Sequence, residues 1–234
     1  MTRIGRGTLM LFLGLAVGRL VLDGRFAAFV QLRMRWPLGI AVVVVIVFGL
    51  VDLITGLRES DPGRQRMSVG PRVGWLLAAP ILVLFAVAPA ALGAAAADRV
   101  APYQPTQTAL DVDLPDVDPL PMRVIDFTRI ATWDETGALE GRRVVLEGIV
   151  VDDGTVSGGF VLARFLVSCC AADGVPIKVA VHGVDGEFAE DDWVRATVTL
   201  RDEQSDRNEP GVVEVDAVEI EIIEDPPASQ YETL

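Results

Sequence analysis

The run Trp36–Leu57, WPLGIAVVVVIVFGLVDLITGL, holds 22 residues and a single charge, Asp52. A helix of about 20 apolar residues, rising 1.5 Å each, crosses a hydrocarbon core of roughly 30 Å. A helix that is apolar all round has to be buried all round, in protein or in lipid. Two further stretches fit the same description. Residues 73–97 carry no charge, and their Pro80 and Pro89 are tolerable in a packed membrane helix. Residues 8–22 are a shorter segment with Arg19 near one end, where an arginine snorkels to the headgroups. Arg3 and Arg6 ahead of this segment also fit a signal peptide. No small-x-small cleavage site follows before Gly24–Phe26, so the segment reads as a span. Ala94–Ala97 before Asp98 resembles such a site and reads as an alanine-rich helix end. Spans at about 8–22, 36–57 and 73–97 therefore make 1–97 a transmembrane region that contacts the lipid bilayer.

Charge divides the chain at the same place. Residues 1–97 sum to +6 and residues 98–234 to −19. An acidic half of this kind lacks the basic footprint that nucleic acid requires. Arg3, Arg6, Arg58, Arg64, Arg66 and Arg72 lie on one side of the expected spans, and Arg25, Arg33 and Arg35 on the other. The larger arginine count belongs in the cytoplasm. The expected localisation is thus a multi-pass protein of the cell membrane with its C-terminal domain extracytoplasmic.

Residues 98–122 contain five Pro and five Asp and read as a semi-extended linker. Beyond them, residues 123–225 read as a β-domain and 226–234 as a tail. A short helix is expected around Thr128–Glu135. Strands are expected at Arg143–Val151, Phe160–Ser168, Val175–Val181, Trp193–Leu200 and Val212–Ile223, separated by turn signals such as Asp152-Asp153-Gly154. Five short strands favour a small all-β fold, an antiparallel OB-like barrel first and a sandwich second. Closure removes exposed strand edges.

The densest chemical constellation is Cys169, Cys170 and Asp173, with His182 nine residues beyond Asp173. Thiolate, imidazole and carboxylate are the usual ligands of Zn²⁺. A turn can aim neighbouring side chains at one point, whereas a strand alternates them. His182 at the end of the next strand is harder to bring to the same point. The same pair also fits a core cysteine beside a surface one, or a vicinal disulfide in an oxidising compartment. There is no CxxC, P-loop or nucleophile elbow, and a lone His excludes a His dyad. The residues point to binding rather than catalysis. Asp52 is the second candidate, since a carboxylate within a span faces protein or water. The acidic runs Glu190–Asp192 and Glu214, Asp216, Glu219 and Glu221 read as a solvated face.

Apolar spans, the GRF junction with Phe29, Val30 and Arg33, and the segments EGIV (147–150), FVLARFLVSCCAAD (160–173) and DDWVRATVTL (191–200) together resemble the YcgQ-like family of bacterial membrane proteins, described as permease subunits. The motif R-F-x-x-x-C-C-x-A-D stands here as Arg164, Phe165, Cys169, Cys170, Ala172 and Asp173. The resemblance implies a multi-span permease as partner and a loose link to metal homeostasis. It supplies no catalytic residue. The expectation is a non-enzymatic accessory subunit of a permease whose β-domain binds a ligand such as zinc, with Asp52 as an intramembrane partner contact. A purely structural subunit and an extracytoplasmic thiol-redox protein are the alternatives.

Overall fold

The structure is a computed structural model that describes residues 3–58, 91–106, 113–151, 154–201, 211–224 and 229–233. The chain divides into two units, 1–90 and 91–234.

In the first unit, α1 (Arg3–Leu22) and α2 (Arg35–Arg58) are joined by two 3₁₀ turns, Arg25–Ala28 and Leu32–Met34. Both helices are long and apolar enough to cross a membrane. They pack antiparallel, and glycines set how closely. A Cβ on Gly7 would lie 2.8 Å from the Gly49 carbonyl oxygen and from the Leu53 nitrogen, and one on Gly56 would lie 3.0 Å from the Ile4 nitrogen. Gly14 faces Ile46 in the same seam. Small residues let two backbones approach where lipid supplies no hydrophobic drive between helices. Large apolar side chains such as Phe12, Trp36 and Phe48 point outward.

The second unit begins upstream of the expected boundary. Residues 73–90 of the expected third span lie outside the described residues. Its last turn, however, is a short helix, α3 (Ala94–Arg99), whose Ala94 and Ala97 are 2% and 0% exposed in the core of the β unit. Alanine runs suit close packing on a sheet as well as lipid, and here the sheet takes them. The expected linker is also part of this unit where it is described. The Tyr103 N–H donates to the Pro176 carbonyl at 2.7 Å, and Trp133 Nε1 donates to the Pro105 carbonyl at 2.9 Å. The segment thus attaches through one of its own amides and through the carbonyl of Pro105, since proline lacks an N–H but still accepts.

Seven strands follow: β1 (Leu120–Pro121), β2 (Arg143–Val151), β3 (Gly159–Leu166), β4 (Val175–His182), β5 (Trp193–Leu200), β6 (Val213–Ile222) and β7 (Tyr231–Glu232). One further helix, α4 (Val124–Trp133), precedes β2. The sheet order is β1-β2-β5-β6-β4-β3-β7, and β2 also pairs with β3 through Ile149↔Ala163, Val150↔Leu162 and Val151↔Val161. The result is a mixed seven-stranded sheet with a partial ring. The all-antiparallel expectation needs correcting, because β4–β6, β1–β2 and β3–β7 are parallel. β5 crosses over to β2 before the chain returns as β6, so β6 runs in the same direction as β4. The tail expected at 226–234 also needs correcting, since Tyr231 and Glu232 are buried as strand β7.

Two cores result. Phe127 of α4, Leu146, Leu162, Ile177, Val179, Val198 and Val215 form the first, and α4 contributes Val124, Phe127 and Ile130 at helical spacing. The second holds Ala94, Ala97, Ile149, Val161, Ala163, Phe165, Ala180 and Tyr231. β3 is buried on both faces, which is why its sequence is a continuous apolar run rather than an alternation.

Candidate metal centre

The β3–β4 connection is built by one carboxylate. After Leu166 the chain turns through Ser168, Cys169 and Cys170 into a 3₁₀ turn at Ala171–Asp173. Asp173 then folds back. One of its oxygens accepts the Ser168 N–H at 2.8 Å, and the other accepts the Cys169 N–H at 2.9 Å. In return the Cys170 sulfur accepts the backbone N–H of Asp173, a reciprocal cap of the kind Ser and Asp make at helix starts. Below the turn, Leu92 fills the space beside Gly174, and Phe165 lies 3.6 Å from where a Gly174 Cβ would be. A Cβ there would have to displace the end of the Leu92 side chain.

This folding brings the two thiols together. Cys169 is exposed and Cys170 half-buried, and both are free thiols with sulfurs 3.7 Å apart. The two sulfurs and an Asp173 oxygen all lie within 4.8 Å of one another. Two sulfurs at 3.7 Å, each about 2.3 Å from a Zn²⁺ ion, subtend about 107° at the ion, close to the tetrahedral angle. The electrostatics follow from the contacts. The Cys169 thiol and the amides of Ser168 and Cys169 hold the Asp173 carboxyl below the usual carboxylate range. That carboxylate, accepting the Cys169 S–H and helped by Cys170, pushes the Cys169 thiol up to about 11. A cation at this point would replace the thiol proton and relieve the crowding of negative charge.

His182 does not join the group. It lies at the far end of β4, eight residues beyond Gly174, which at about 3.3 Å per residue is roughly 25 Å along the strand. Its Nε2 instead lies 3.4 Å from a carboxylate oxygen of Glu214. Glu214 itself is only 4% exposed, so it leaves the solvated face expected of the acidic run; Glu219 and Glu221 remain on it.

The other motif residues divide by role. Ala172 is exposed on the 3₁₀ turn, while Phe165 is buried beneath it. Arg164 is 8% exposed and stacks over the Trp193 ring at 4.9 Å. It donates to the Ser229 carbonyl at 2.9 Å and approaches Glu232 at 3.9 Å. Glu232 in turn accepts the N–H groups of Val124 and Ile125, both at 2.8 Å, at the start of α4. The Val167 N–H donates to the Glu232 carbonyl at 3.0 Å, one residue before the turn begins. Arg164 and Glu232 thus brace the strand that feeds the cysteines. Glu232, Leu92 and the Ser168 amide carry no sequence signal of a site.

Asp52 has its partner within the chain. Arg6 Nε and Nη2 donate to its two oxygens at 2.5 and 2.8 Å.

These features define a chain with two apolar helices of membrane-spanning length and a mixed β unit that presents two cysteines and an aspartate on one turn. Residues 130–231 match the model of the DUF1980 C-terminal domain. No curated protein matches the sequence. Among solved structures, a protein from Leishmania major Friedlin assigned as an aspartyl-tRNA synthetase is 9% identical, with a TM-score of 0.29, over 65% of this chain and 27% of that one. The chain thus spans about a quarter of that protein, and likeness at this level carries no argument about fold or activity.

Proposed function

We propose that this protein is a non-enzymatic accessory subunit of a multi-span permease, anchored in the membrane, whose β unit binds a thiophilic divalent cation such as Zn²⁺ at Cys169, Cys170 and Asp173. The observation that carries the metal reading is the 3.7 Å separation of the two sulfurs, which suits two vertices of a tetrahedron, beside a carboxylate already fixed in place. The permease partner rests on the resemblance in Arg164–Asp173. The ring of β2, β3, β4, β6 and β5 has the pairing order of an OB-type barrel, and that is our reading of the unit. Given the expected third span ahead of Ala94, the six-against-three arginine count favours a multi-pass topology with this unit outside the cytoplasm.

The test is metal content. The full chain, purified in mild detergent, should hold one Zn²⁺ per chain and lose it in both Cys169→Ser and Cys170→Ser. A metal-free protein whose melting temperature ignores a chelator would sink the metal reading. Thiols that appear only after reductant would point to a vicinal disulfide and the redox alternative. Co-purification with a multi-span permease tests the partner.

A further inference from the structure

We infer that the turn carrying Cys169, Cys170 and Asp173 is an exchange site, which holds a tetrahedral thiophilic cation by three donors and leaves the fourth position to a donor from another molecule, through which the ion is handed on. This rests on the metal reading above and deepens it, because it makes the ion a cargo rather than a structural part.

Three observations point the same way. All three donors come from five consecutive residues, and among the described residues no other His, Cys, Asp or Glu joins them. Structural zinc sites close with four protein ligands from separated segments, whereas sites that act on a ligand keep a position open. Next, the site is shielded on one side only. Leu92 and Phe165 pack beneath Gly174, while Ser168, Cys169 and Ala172 are exposed, so an incoming donor meets the sulfurs without displacing any core residue.

Finally, the turn keeps its shape by itself. Asp173 accepts the Ser168 and Cys169 amides, and Cys170 accepts the Asp173 amide. A fold that needed metal for its integrity would not carry its own brace. The sulfur spacing limits the cargo class. A linear dithiolate with bonds of about 2.3 Å needs sulfurs about 4.6 Å apart, so 3.7 Å favours tetrahedral ions of the Zn²⁺ and Cd²⁺ kind. Oxygen-seeking ions such as Mg²⁺ and Ca²⁺ have only one suitable ligand here.

Cd²⁺ is the probe, because its thiolate charge-transfer absorbance reports occupancy directly. The full-length chain in detergent is loaded with Cd²⁺ and mixed with rising concentrations of a chelator in a stopped-flow instrument. An exchange site lets the chelator bind the ion before it leaves, so a tenfold rise in chelator should give a rate close to tenfold higher. His182→Ala should change neither absorbance nor rate. A strong absorbance with a release rate independent of chelator would overturn the exchange inference and leave the metal reading standing. Absence of the absorbance in the reduced protein would overturn the metal reading itself.

Discussion

Arg6 and Asp52 meet as a two-pronged ion pair between α1 and α2, with both carboxylate oxygens engaged at 2.5 and 2.8 Å. The pair sits in the seam where Gly7 touches Gly49 and Leu53, so the charge neutralisation and the closest backbone approach coincide. Separating these charges in a low-dielectric environment costs far more than in water. Asp52→Asn should therefore lower the denaturation midpoint of the hairpin in detergent, and Arg6→Asp should lower it more. The exchanged pair Arg6→Asp with Asp52→Arg should recover most of the loss. Simple addition of the two single effects would show that the pair does not couple the helices.

Glu232 offers a second test, because it serves a helix and an arginine at once. Its oxygens accept the Val124 and Ile125 amides while Arg164 lies 3.9 Å away. Glu232→Ala leaves two helix-start amides without their acceptor and a buried guanidinium without its counter-charge, a loss on the order of 2–4 kcal/mol. Glu232→Gln keeps one amide acceptor and should lose roughly half as much. Urea unfolding followed by Trp fluorescence separates these cases. A loss below that of a surface Glu→Ala change would remove the brace from the account.

Strands β2 and β5 could be read from the sequence to the residue, because Val144, Leu146, Val194, Ala196 and Val198 alternate inward along them. The ring was only half legible. Which strands neighbour each other depends on the crossover of β5, and side-chain period says nothing about that. β1 and β7 have two residues each, too short for any periodicity. Ala94–Ala97 is as apolar as a membrane helix, and only its burial against β2 and β3 assigns it to the sheet. The cysteine turn was legible as a cluster because its donors are close in sequence. The Asp52 partner was not, since 46 residues separate it from Arg6. His182 stays outside the group, as its place at the far end of an extended strand leads one to expect, because nearness in sequence along a strand is distance in space.

The ring closes at Gly148. A Cβ there would lie 2.7 Å from the Ala163 carbonyl oxygen and 2.6 Å from the Leu162 side chain, where β2 passes onto β3. Backbone cannot yield there without breaking the pairing of Ile149 with Ala163. Gly148→Ala should cost about 1–3 kcal/mol by overpacking, whereas Gly154→Ala in an exposed turn should cost about 1 kcal/mol through its positive φ alone. Equal midpoint shifts in urea would argue against close approach as the reason for glycine at 148.

Acid should loosen the cysteine turn before it unfolds the sheet. Asp173 is held below the usual carboxylate range in the folded state, so its contribution is fully present above its unfolded value of about 3.9 and is lost as pH falls through the lowered folded value. Protonation weakens the acceptor for the Ser168 and Cys169 amides. Hydrogen exchange should therefore show these two amides losing protection only once the pH falls below the ordinary carboxylate range, while Val179 and Val198 in the core stay protected. Asp173→Asn should give the unprotected pattern at neutral pH. Protection of the two amides that is unchanged by this variant would show that another group holds the turn.

Thiol reactivity in the metal-free protein reads the same carboxylate from the other side. With Cys169 pushed up to about 11, roughly one thiol in a thousand is ionised at pH 8, and iodoacetamide reacts with the thiolate. Asp173 is the chief cause, so Asp173→Asn should lower the Cys169 value towards the ordinary 8.5 or so and speed alkylation at pH 8 by at least tenfold. Cys170→Ser isolates Cys169 for the measurement and removes the smaller contribution of its neighbour. The rate–pH profile of Cys170→Ser should still rise well above pH 9, and that of Cys170→Ser with Asp173→Asn should level off about one to two pH units lower. Mass spectrometry of the alkylated peptide assigns the site. Two superimposable profiles centred near 8.5 would mean that the carboxylate does not act on this thiol, and Asp173 would then hold the turn through its amide contacts alone.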